Sequence, residues 1–373
     1  MIVQRKDPAV TAEPTDRMPL VTHATIRQEL ARSLGSAGSD SLLVELFGTP
    51  NTEVAASALL DAVGSDGQPR GVCLVRLNSG VVVGFDLEGA LDRVVVKVHR
   101  KHLMPRLGSV LRAQRILGAA GIPVATPLTA APQLVGSGAA LIETWRADGE
   151  SVDVRSPARR RALARCSFAI SDTLDADHFP DLVPTRAGRY PPPHSPVFDF
   201  EATSEGAEWI DVLADAALAE HAALGGAGRR VVAHTDLRPE NVLLDLSGTD
   251  PVVSTVYDLD SLVVDAEPWL VGGTARAFST DWSRPDPMIP TLPEIDGFLH
   301  DYEDVRGVAF SADETQLARA GALHALAYSA RCEHALFPDG SPAPWGPGWR
   351  SLLRCFAEDA GFEHRSGGRR PAK

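Results

Sequence analysis

Residues 234–245 read His-Thr-Asp-Leu-Arg-Pro-Glu-Asn-Val-Leu-Leu-Asp, and residues 256–260 read Val-Tyr-Asp-Leu-Asp. Apolar runs bracket the polar part of the first stretch, Val231-Val232-Ala233 before it and Val242-Leu243-Leu244 after it. Two short buried strands are therefore expected to pin a loop that carries the polar residues. A third apolar run, Val252 to Tyr257, delivers Asp258 at its end. A hydroxyl attacking the γ-phosphate of a nucleotide needs a carboxylate at the nucleophile and hard oxygen ligands that hold Mg²⁺ against the phosphates. Asp236 fits the first role; the Asn241 amide oxygen and the Asp258 carboxylate fit the second. Taken singly, an Asp or Asn in a loop more often satisfies backbone groups through an Asx-turn. The case for chemistry is the combination, His-x-Asp-x-x-x-x-Asn and then a strand ending in Asp-x-Asp. His234, between strand and loop, reads as a brace for the backbone rather than a proton carrier.

HTDLRPENVLLD and VYDLD resemble the motifs of the aminoglycoside phosphotransferase-like family, the small-molecule kinase branch of the protein-kinase-like superfamily. The resemblance implies an α+β, bilobal protein-kinase-like fold, with a small antiparallel-sheet N-lobe and a mainly helical C-lobe. It further implies ATP or GTP with Mg²⁺ in the cleft, Asp236 as catalytic base, and Asn241 and Asp258 as metal ligands. It runs from the strand near Cys73 to the helices before residue 360. Thr235 stands where protein kinases usually have a basic residue, and no Ala-Pro-Glu follows the Asp258 strand, so a small-molecule acceptor is favoured over a protein.

In the N-terminal half, Val72–Leu77, a turn at Asn78-Ser79-Gly80, Val81–Phe85 and Arg93–Val98 read as strands. Lys97 interrupts a Val-rich strand, and the whole chain has only four lysines. A buried ammonium requires a partner. By resemblance Lys97 contacts the α- and β-phosphates; the alternative is an edge-strand lysine that blocks aggregation. No G-x-G-x-x-G run is present, so the phosphates would be covered by the turn alone, with Ser79 as its polar residue. Kinases pair the strand lysine with a Glu on the following helix, yet Pro105–Ala120 contains no acid. Gln114 through a neutral hydrogen bond, or an acid from elsewhere such as Glu88, are the candidates. Ala139–Trp145 reads as a strand running to the junction of the lobes. By resemblance the backbone of Glu143 and Trp145 would hydrogen-bond the adenine, while Trp145 as a packing aromatic is the structural alternative.

The 373 residues, 44% apolar, suffice for two lobes with a core in each. The organisation expected is a mobile N-terminus over 1–20, a nucleotide-binding N-lobe with a helical extension over 21–145, a catalytic and substrate-binding C-lobe over 146–363, and a disordered tail over 364–373. Helices are expected over Ala24–Leu34, Glu53–Val63, from Pro157 behind an Ser156 N-cap, around Trp209–Ala216, after the capping box Ser311–Glu314, and around Trp349–Phe356. Arg159, Arg160 and Arg161 read as a solvated face, and the Pro-rich connection 175–203 as irregular.

A net charge of −13 disfavours a nucleic-acid partner. No segment approaches the roughly 20 apolar residues of a membrane span, and the first residues lack the apolar core of a signal peptide, so a cytoplasmic protein with no membrane association is expected. Cys73, Cys166, Cys332 and Cys355 lack metal-ligand spacing and read as reduced core residues. Between Asp281 and Asp304 lie seven acids and one Arg284. They form either an acidic wall for a cationic acceptor or a solvated surface. The sequence therefore points to a phosphotransferase that moves the γ-phosphate of ATP or GTP to a hydroxyl of a small molecule, a cationic one (aminoglycoside, amino sugar or amino alcohol) if the wall is real. The alternative is a nucleotide-binding pseudokinase with a regulatory role, motivated by the missing helix acid and the thin phosphate loop. Oligomeric state leaves no signature.

Overall fold

A computed structural model describes residues 23–36, 40–64, 67–77, 79–89, 91–184, 188–191, 198–282 and 284–362. The expected mobile N-terminus over 1–20 and the tail over 364–373 lie outside the described residues, as do Asn78 of the hairpin turn and most of the Pro191–Pro196 run. The chain divides into two compact units, one ending at Arg115 and resuming over Ala125–Arg146, the other formed by Ile116–Val124 and everything from Ala147.

The first unit starts with three helices, α1 (His23–Ser36), α2 (Asp40–Phe47) and α3 (Thr52–Val63). Helices this short are marginal alone, and packing of one apolar stripe holds them. Ile26, Leu30 and Leu34 of α1 and Leu59, Leu60 and Val63 of α3 are buried in one cluster. Asn51 caps α3, its Oδ1 accepting from the N–H of Glu53 at 3.0 Å. These helices cover an antiparallel sheet of β1 (Gln68–Leu77), β2 (Val81–Glu88), β3 (Arg93–Arg100), β4 (Gln133–Val135) and β5 (Gly138–Thr144), in the order β1-β2-β3-β5-β4. The two-residue period of a strand explains the layering. Val81, Val83, Phe85 and Leu87 of β2 join Val94, Val96 and Val98 of β3 in the core cluster, so Val95 and Lys97 point to the other face. The β1–β2 turn needs glycine at position 80, because a Cβ there would stand 2.5 Å from the Val98 carbonyl oxygen. Helix α4 (Met104–Ala119) follows β3 and contributes its residues up to Arg115 to this unit.

The second unit is helical around two small antiparallel sheets. Its helices are α5 (Pro157–Thr173), α6 (Glu208–Leu224), α7 (Glu267–Ala277), α8 (Leu292–Arg306), α9 (Ala312–Leu336) and α10 (Trp349–Asp359). Its strands are β6 (Arg230–His234), β7 (Val242–Asp245), β8 (Val252–Val256) and β9 (Leu262–Ala266), with β6 paired to β9 and β7 to β8. Helices α7 and α9 meet backbone to backbone: a Cβ on Gly272 would overlap the Ala318 carbonyl, and one on Gly321 the Trp269 carbonyl. Glu267, fully buried at the start of α7, fastens that helix through Arg229 (2.9 Å), Arg306 (3.2 Å) and the Tyr302 hydroxyl (2.8 Å). The architecture is the mixed α+β class expected, an antiparallel sheet in one part and helices in the other. Among the described residues no helix is long and apolar enough to cross a membrane.

Two expectations fail here, and one of two open readings of the Asp281–Asp304 stretch loses support. Arg160 is no solvated residue: its Nε meets the buried Asp301 carboxylate at 2.7 Å, Arg161 bridges Asp301 and Asp304 at 3.3 Å each, and Arg159 donates to the Asp153 carbonyl. Helices α5 and α8 are thus joined by ion pairs between residues 140 or more positions apart, a pairing no local pattern encodes. Cys73 and Cys355 are exposed, while Cys166 and Cys332 are buried; position on the outer strand β1 and on the outward face of α10 overrides the apolar neighbours. Most of the acids from Asp281 to Asp304 have structural duties rather than forming a wall. Glu294 closes the capping box of α8 with Thr291, Asp286 accepts from the Met288 N–H, Asp301 and Asp304 take the α5 arginines, and Glu303 accepts from the Phe310 N–H.

Candidate active site

The loop between β6 and β7 is fixed from its base. His234, fully buried at the end of β6, donates from Nε2 to the Tyr257 carbonyl (2.8 Å) while its Nδ1 accepts the Asp236 backbone N–H (3.2 Å). A ring that accepts at Nδ1 and donates at Nε2 is the neutral Nε2–H tautomer. Thr235 adds its N–H and hydroxyl to the Ser261 carbonyl, the latter at 3.0 Å, and the Thr274 hydroxyl on α7 reaches the His234 carbonyl at 3.4 Å. On the other side the Tyr257 N–H donates to the Asn241 carbonyl at 2.8 Å, so the turn after β8 is stitched to the loop one residue before Asp258.

Within this frame the two carboxylate oxygens of Asp236 have different partners. Oδ1 lies 3.0 Å from Arg238 Nε, and Oδ2 accepts from Asn241 Nδ2 at 2.8 Å. The same amide nitrogen donates to the Asp236 carbonyl at 2.8 Å. With Nδ2 so engaged, Asn241 has only its Oδ1 to offer a ligand. Arg238 spans Asp236 and Glu240, its NH1 lying 2.9 Å from Glu240 Oε2. Burial pushes the Asp236 carboxyl up, but Arg238, with Arg276 farther off and the Asn241 amide, outweighs it and holds the group below the usual carboxylate range. Asp258 also acts on Arg238, so the charges of Asp236, Glu240 and Asp258 all converge on one guanidinium. Asp258 itself sits in the left-handed region at φ 60° and accepts the Ser261 hydroxyl at Oδ2, 3.1 Å. Asp and Asn tolerate this conformation better than most side chains, and it turns the carboxylate out of the line of β8.

Lys97 belongs to a separate cluster in the first unit. It pairs across the sheet with Leu141, and Glu143, two residues farther along β5, projects from the same face. Its Nζ lies 2.9 Å from Glu143 Oε1, both side chains being under a tenth exposed. Gln114 of α4 donates from Nε2 to Glu143 Oε2 (2.8 Å) and to the Ala125 carbonyl (2.8 Å). The acid missing from α4 is thus supplied by β5; Gln114 holds that acid, and Glu88 at the end of β2 is exposed. Glu143 and Trp145, expected to give backbone groups to an adenine, lie along the β3–β5 pairing. Glu143 pairs with Val95, and the Trp145 N–H donates to the Arg93 carbonyl at 3.2 Å, because β5 stays zipped to β3 through Thr144. The Trp145 ring packs over Gly84, where a Cβ would approach it to 3.0 Å, and under the Arg93 guanidinium at 5.7 Å. Ser79 is exposed at the β1–β2 turn, two residues from Val81, and its carbonyl accepts from Arg100 at 3.4 Å.

Sequence reasoning missed three groups beside Asp236. Glu240 takes the backbone N–H of Trp282 at 3.2 Å, and burial, followed by the nearby Asp281 and Asp236 charges, raises its carboxyl against the opposing pull of Arg238. Arg276 on α7 donates to Ser329 Oγ at 2.9 Å and lies over the Trp349 ring at 5.6 Å. Trp282, 42% exposed, packs edge-on against Trp345 at 5.9 Å. Glu240 lay inside the quoted stretch, two residues from Arg238, and the signal was there. Arg276 and Trp282 arrive from distant segments, with no spacing to betray them.

No cluster of three or more His, Cys, Asp or Glu suited to a metal occurs among the described residues. Mg²⁺ needs no such cluster, since it takes one or two protein oxygens and completes its shell with water and phosphate. Asn241 Oδ1 and the Asp258 carboxylate are hard oxygen donors of that kind, and the donor set fits.

Residues 81–266 match the model of the phosphotransferase enzyme family, APH. No curated protein matches the chain. Among solved structures it is similar to an aminoglycoside-3'-phosphotransferase of type VIII, with 18% identity, a TM-score of 0.44, and 71% of this chain and 97% of that one covered. It is similar to an ethanolamine kinase from Plasmodium vivax, with 12% identity, a TM-score of 0.48, and 91% and 96% covered. A choline kinase from Cryptosporidium parvum gives 12% identity, a TM-score of 0.44, and 79% and 90% covered.

Proposed function

We propose that this chain, a member of the phosphotransferase enzyme family through residues 81–266, moves the γ-phosphate of ATP or GTP to a hydroxyl group of a small molecule. The observation that carries the reading is the divided carboxylate of Asp236, one oxygen on Arg238 and the other on Asn241, on a loop fixed by His234 and Thr235. A carboxylate fixed at both oxygens presents its outer lone pairs to an incoming hydroxyl in one orientation, which is the positioning such a transfer demands. Mg²⁺, when bound, would supply positive charge against the phosphates. Asn241 Oδ1 and Asp258 would hold it; the Asn241 amide nitrogen, donating to Asp236, keeps that oxygen free to face a ligand. Lys97, charged through its pair with Glu143, contacts the nucleotide phosphates, and Ser79 marks the turn that covers them.

A cationic acceptor is supported by the chain's net charge of −13 rather than by an acidic wall, since most of the Asp281–Asp304 acids are engaged in structural contacts. The pseudokinase alternative rested on a lysine without its helix acid and on a thin phosphate loop; Glu143 answers the first motive, and the second stands. The test is nucleotide consumption in a panel of cationic, neutral and anionic alcohols, with ATP and GTP compared and Asp236→Ala as the blank. Turnover with at least one alcohol, abolished in the blank, is expected. Nucleotide binding with no consumption across the panel would return the pseudokinase reading, and a preference for neutral or anionic alcohols would discard the cationic acceptor alone.

A further inference from the structure

We infer that Glu143 is the positioning residue for Lys97, an acid built into the sheet that takes over the task of a helix acid, and that Gln114 holds Glu143 in turn. The inference rests on the nucleotide-dependent reading above. It starts from an anomaly of sequence: α4 carries no Asp or Glu, yet Lys97 is buried on a valine strand. The register of β3 against β5 puts Glu143 on the same face as Lys97, and the ion pair closes at 2.9 Å. Gln114, 1% exposed, completes the arrangement with two 2.8 Å bonds from one amide nitrogen.

The orientation of that amide is forced. Turned over, its oxygen would face the Glu143 carboxylate and the Ala125 carbonyl, two acceptors. As it stands, Gln114 Oε1 is buried without a hydrogen-bond partner among the described residues, a state that costs stability. A buried ion pair with such an attachment is no better for stability than three apolar side chains of similar volume. The trio is therefore explained by what it does for the lysine: it gives the ammonium a buried partner and keeps its Nζ at one place on the sheet. Since Glu143 belongs to a hydrogen-bonded strand, the place is set by backbone register. A shift of α4 would remove the Gln114 bond and leave the ion pair.

The experiment measures binding of ADP with Mg²⁺, and of adenosine, to the wild-type chain, Glu143→Gln and Glu143→Asp by calorimetry. Both ligands share the base and the ribose, and only ADP has phosphates for Lys97. Glu143→Gln is expected to weaken ADP by about tenfold or more while adenosine binding stays within about twofold. Glu143→Asp keeps the charge and withdraws it by one methylene; it guards against failure of the glutamine variant to fold, and is expected to weaken ADP selectively but less. Equal loss for ADP and adenosine would mean a general collapse of the fold around the strand and would overturn the proposal, as would unchanged ADP binding in either variant. If the wild-type protein binds neither, GDP and guanosine replace them in the same comparison; a wild-type protein that binds none of the four would sink the phosphotransferase reading itself, and this inference with it.

Discussion

Replacing Asp236 tests the site most directly, and the two obvious replacements should not behave alike. Asp236→Ala removes the group that orients the acceptor hydroxyl, for which a loss of roughly 10²–10⁴-fold in turnover is expected, or about 3–5.5 kcal/mol in barrier height. The loop should survive this change. Asn241 Nδ2 keeps its bond to the carbonyl of residue 236, and Arg238 keeps Glu240 at 2.9 Å. Nucleotide affinity should therefore stay within a few-fold of the wild type, so that kcat falls and KM for the magnesium nucleotide does not rise. Asp236→Asn looks gentler and is harsher in this respect. Both oxygens of Asp236 are acceptors, facing donors on Arg238 and Asn241; an amide can satisfy one of those donors and must turn its own NH₂ group toward the other. If the amide faces Asn241, that side chain is pushed out of the orientation that offers Oδ1 to the metal, and the requirement for Mg²⁺ rises in addition to the loss of turnover. The assay is initial-rate kinetics with the best alcohol from the acceptor panel, varying Mg²⁺ at fixed nucleotide. Turnover of Asp236→Ala within about threefold of the wild type would refute the assignment, and identical Mg²⁺ dependence in the two variants would refute the argument from hydrogen-bond polarity.

Three further outcomes are expected. Arg238→Met withdraws the charge that opposes burial at Asp236, so the carboxyl moves upward; since the ionised form is the working one, the acid limb of kcat/KM should shift to higher pH, which a profile over about pH 5 to 9 reads, and an unmoved limb counts against the ion pair as the controlling influence. The corresponding stability from the lowered carboxyl is present above its unfolded pKa and disappears as the pH falls through the lower folded one, so the variant should also resist acid less well. Glu267→Gln should cost about 3 kcal/mol in a denaturant titration, the low end for a broken buried pair, because Arg229 is 38% exposed and can rehydrate; a midpoint equal to the wild type would show that α7 is held by its glycine contacts alone. Asn51→Ala should cost about 1 kcal/mol through loss of the α3 cap, seen as faster proteolysis of the first unit, and an unchanged rate would mean that packing alone fixes the helix.

What could be read in the sequence was what periodicity and turn chemistry encode locally. The strands from Gln68 to Arg100, the helix after them and the capping box at Ser311 all announce themselves within a dozen residues. Helix α2 escaped because its eight residues complete only two turns, too few for a stripe. Helix α8 escaped because its acids read as a surface feature while its apolar side, Ile295, Phe298 and Tyr302, was diluted among them. The contact between Asp236 and Asn241 was legible for a different reason: the two lie five residues apart on one short loop, so spacing and geometry are nearly the same thing. The partner of Lys97 was not, since Glu143 reaches it only through the pairing of β3 with β5. Strand register is a tertiary choice, and residues 97 and 143 carry no mark of it beyond the absence of an acid where one was sought.

The electrostatics of the loop also decide what kind of base Asp236 can be. A carboxylate held below its usual range by an adjacent guanidinium is a poor acceptor for the proton of an alcohol in the ground state. Were nucleophilic attack to require a free alkoxide, the arrangement would be self-defeating. In a loose phosphoryl transfer it is not, because the bond to the leaving oxygen is largely broken before the new one forms, and the hydroxyl becomes acidic only late, as it binds the phosphorus. Until then the task is to hold the hydroxyl in line, and an ionised carboxylate tied at both oxygens does this better than a stronger but freer base. Arg238 then has two consequences from one contact: it fixes the orientation of Asp236, and it keeps the carboxyl ionised despite burial. Glu240, 2.9 Å from NH1 of the same guanidinium, holds Arg238 from its other side.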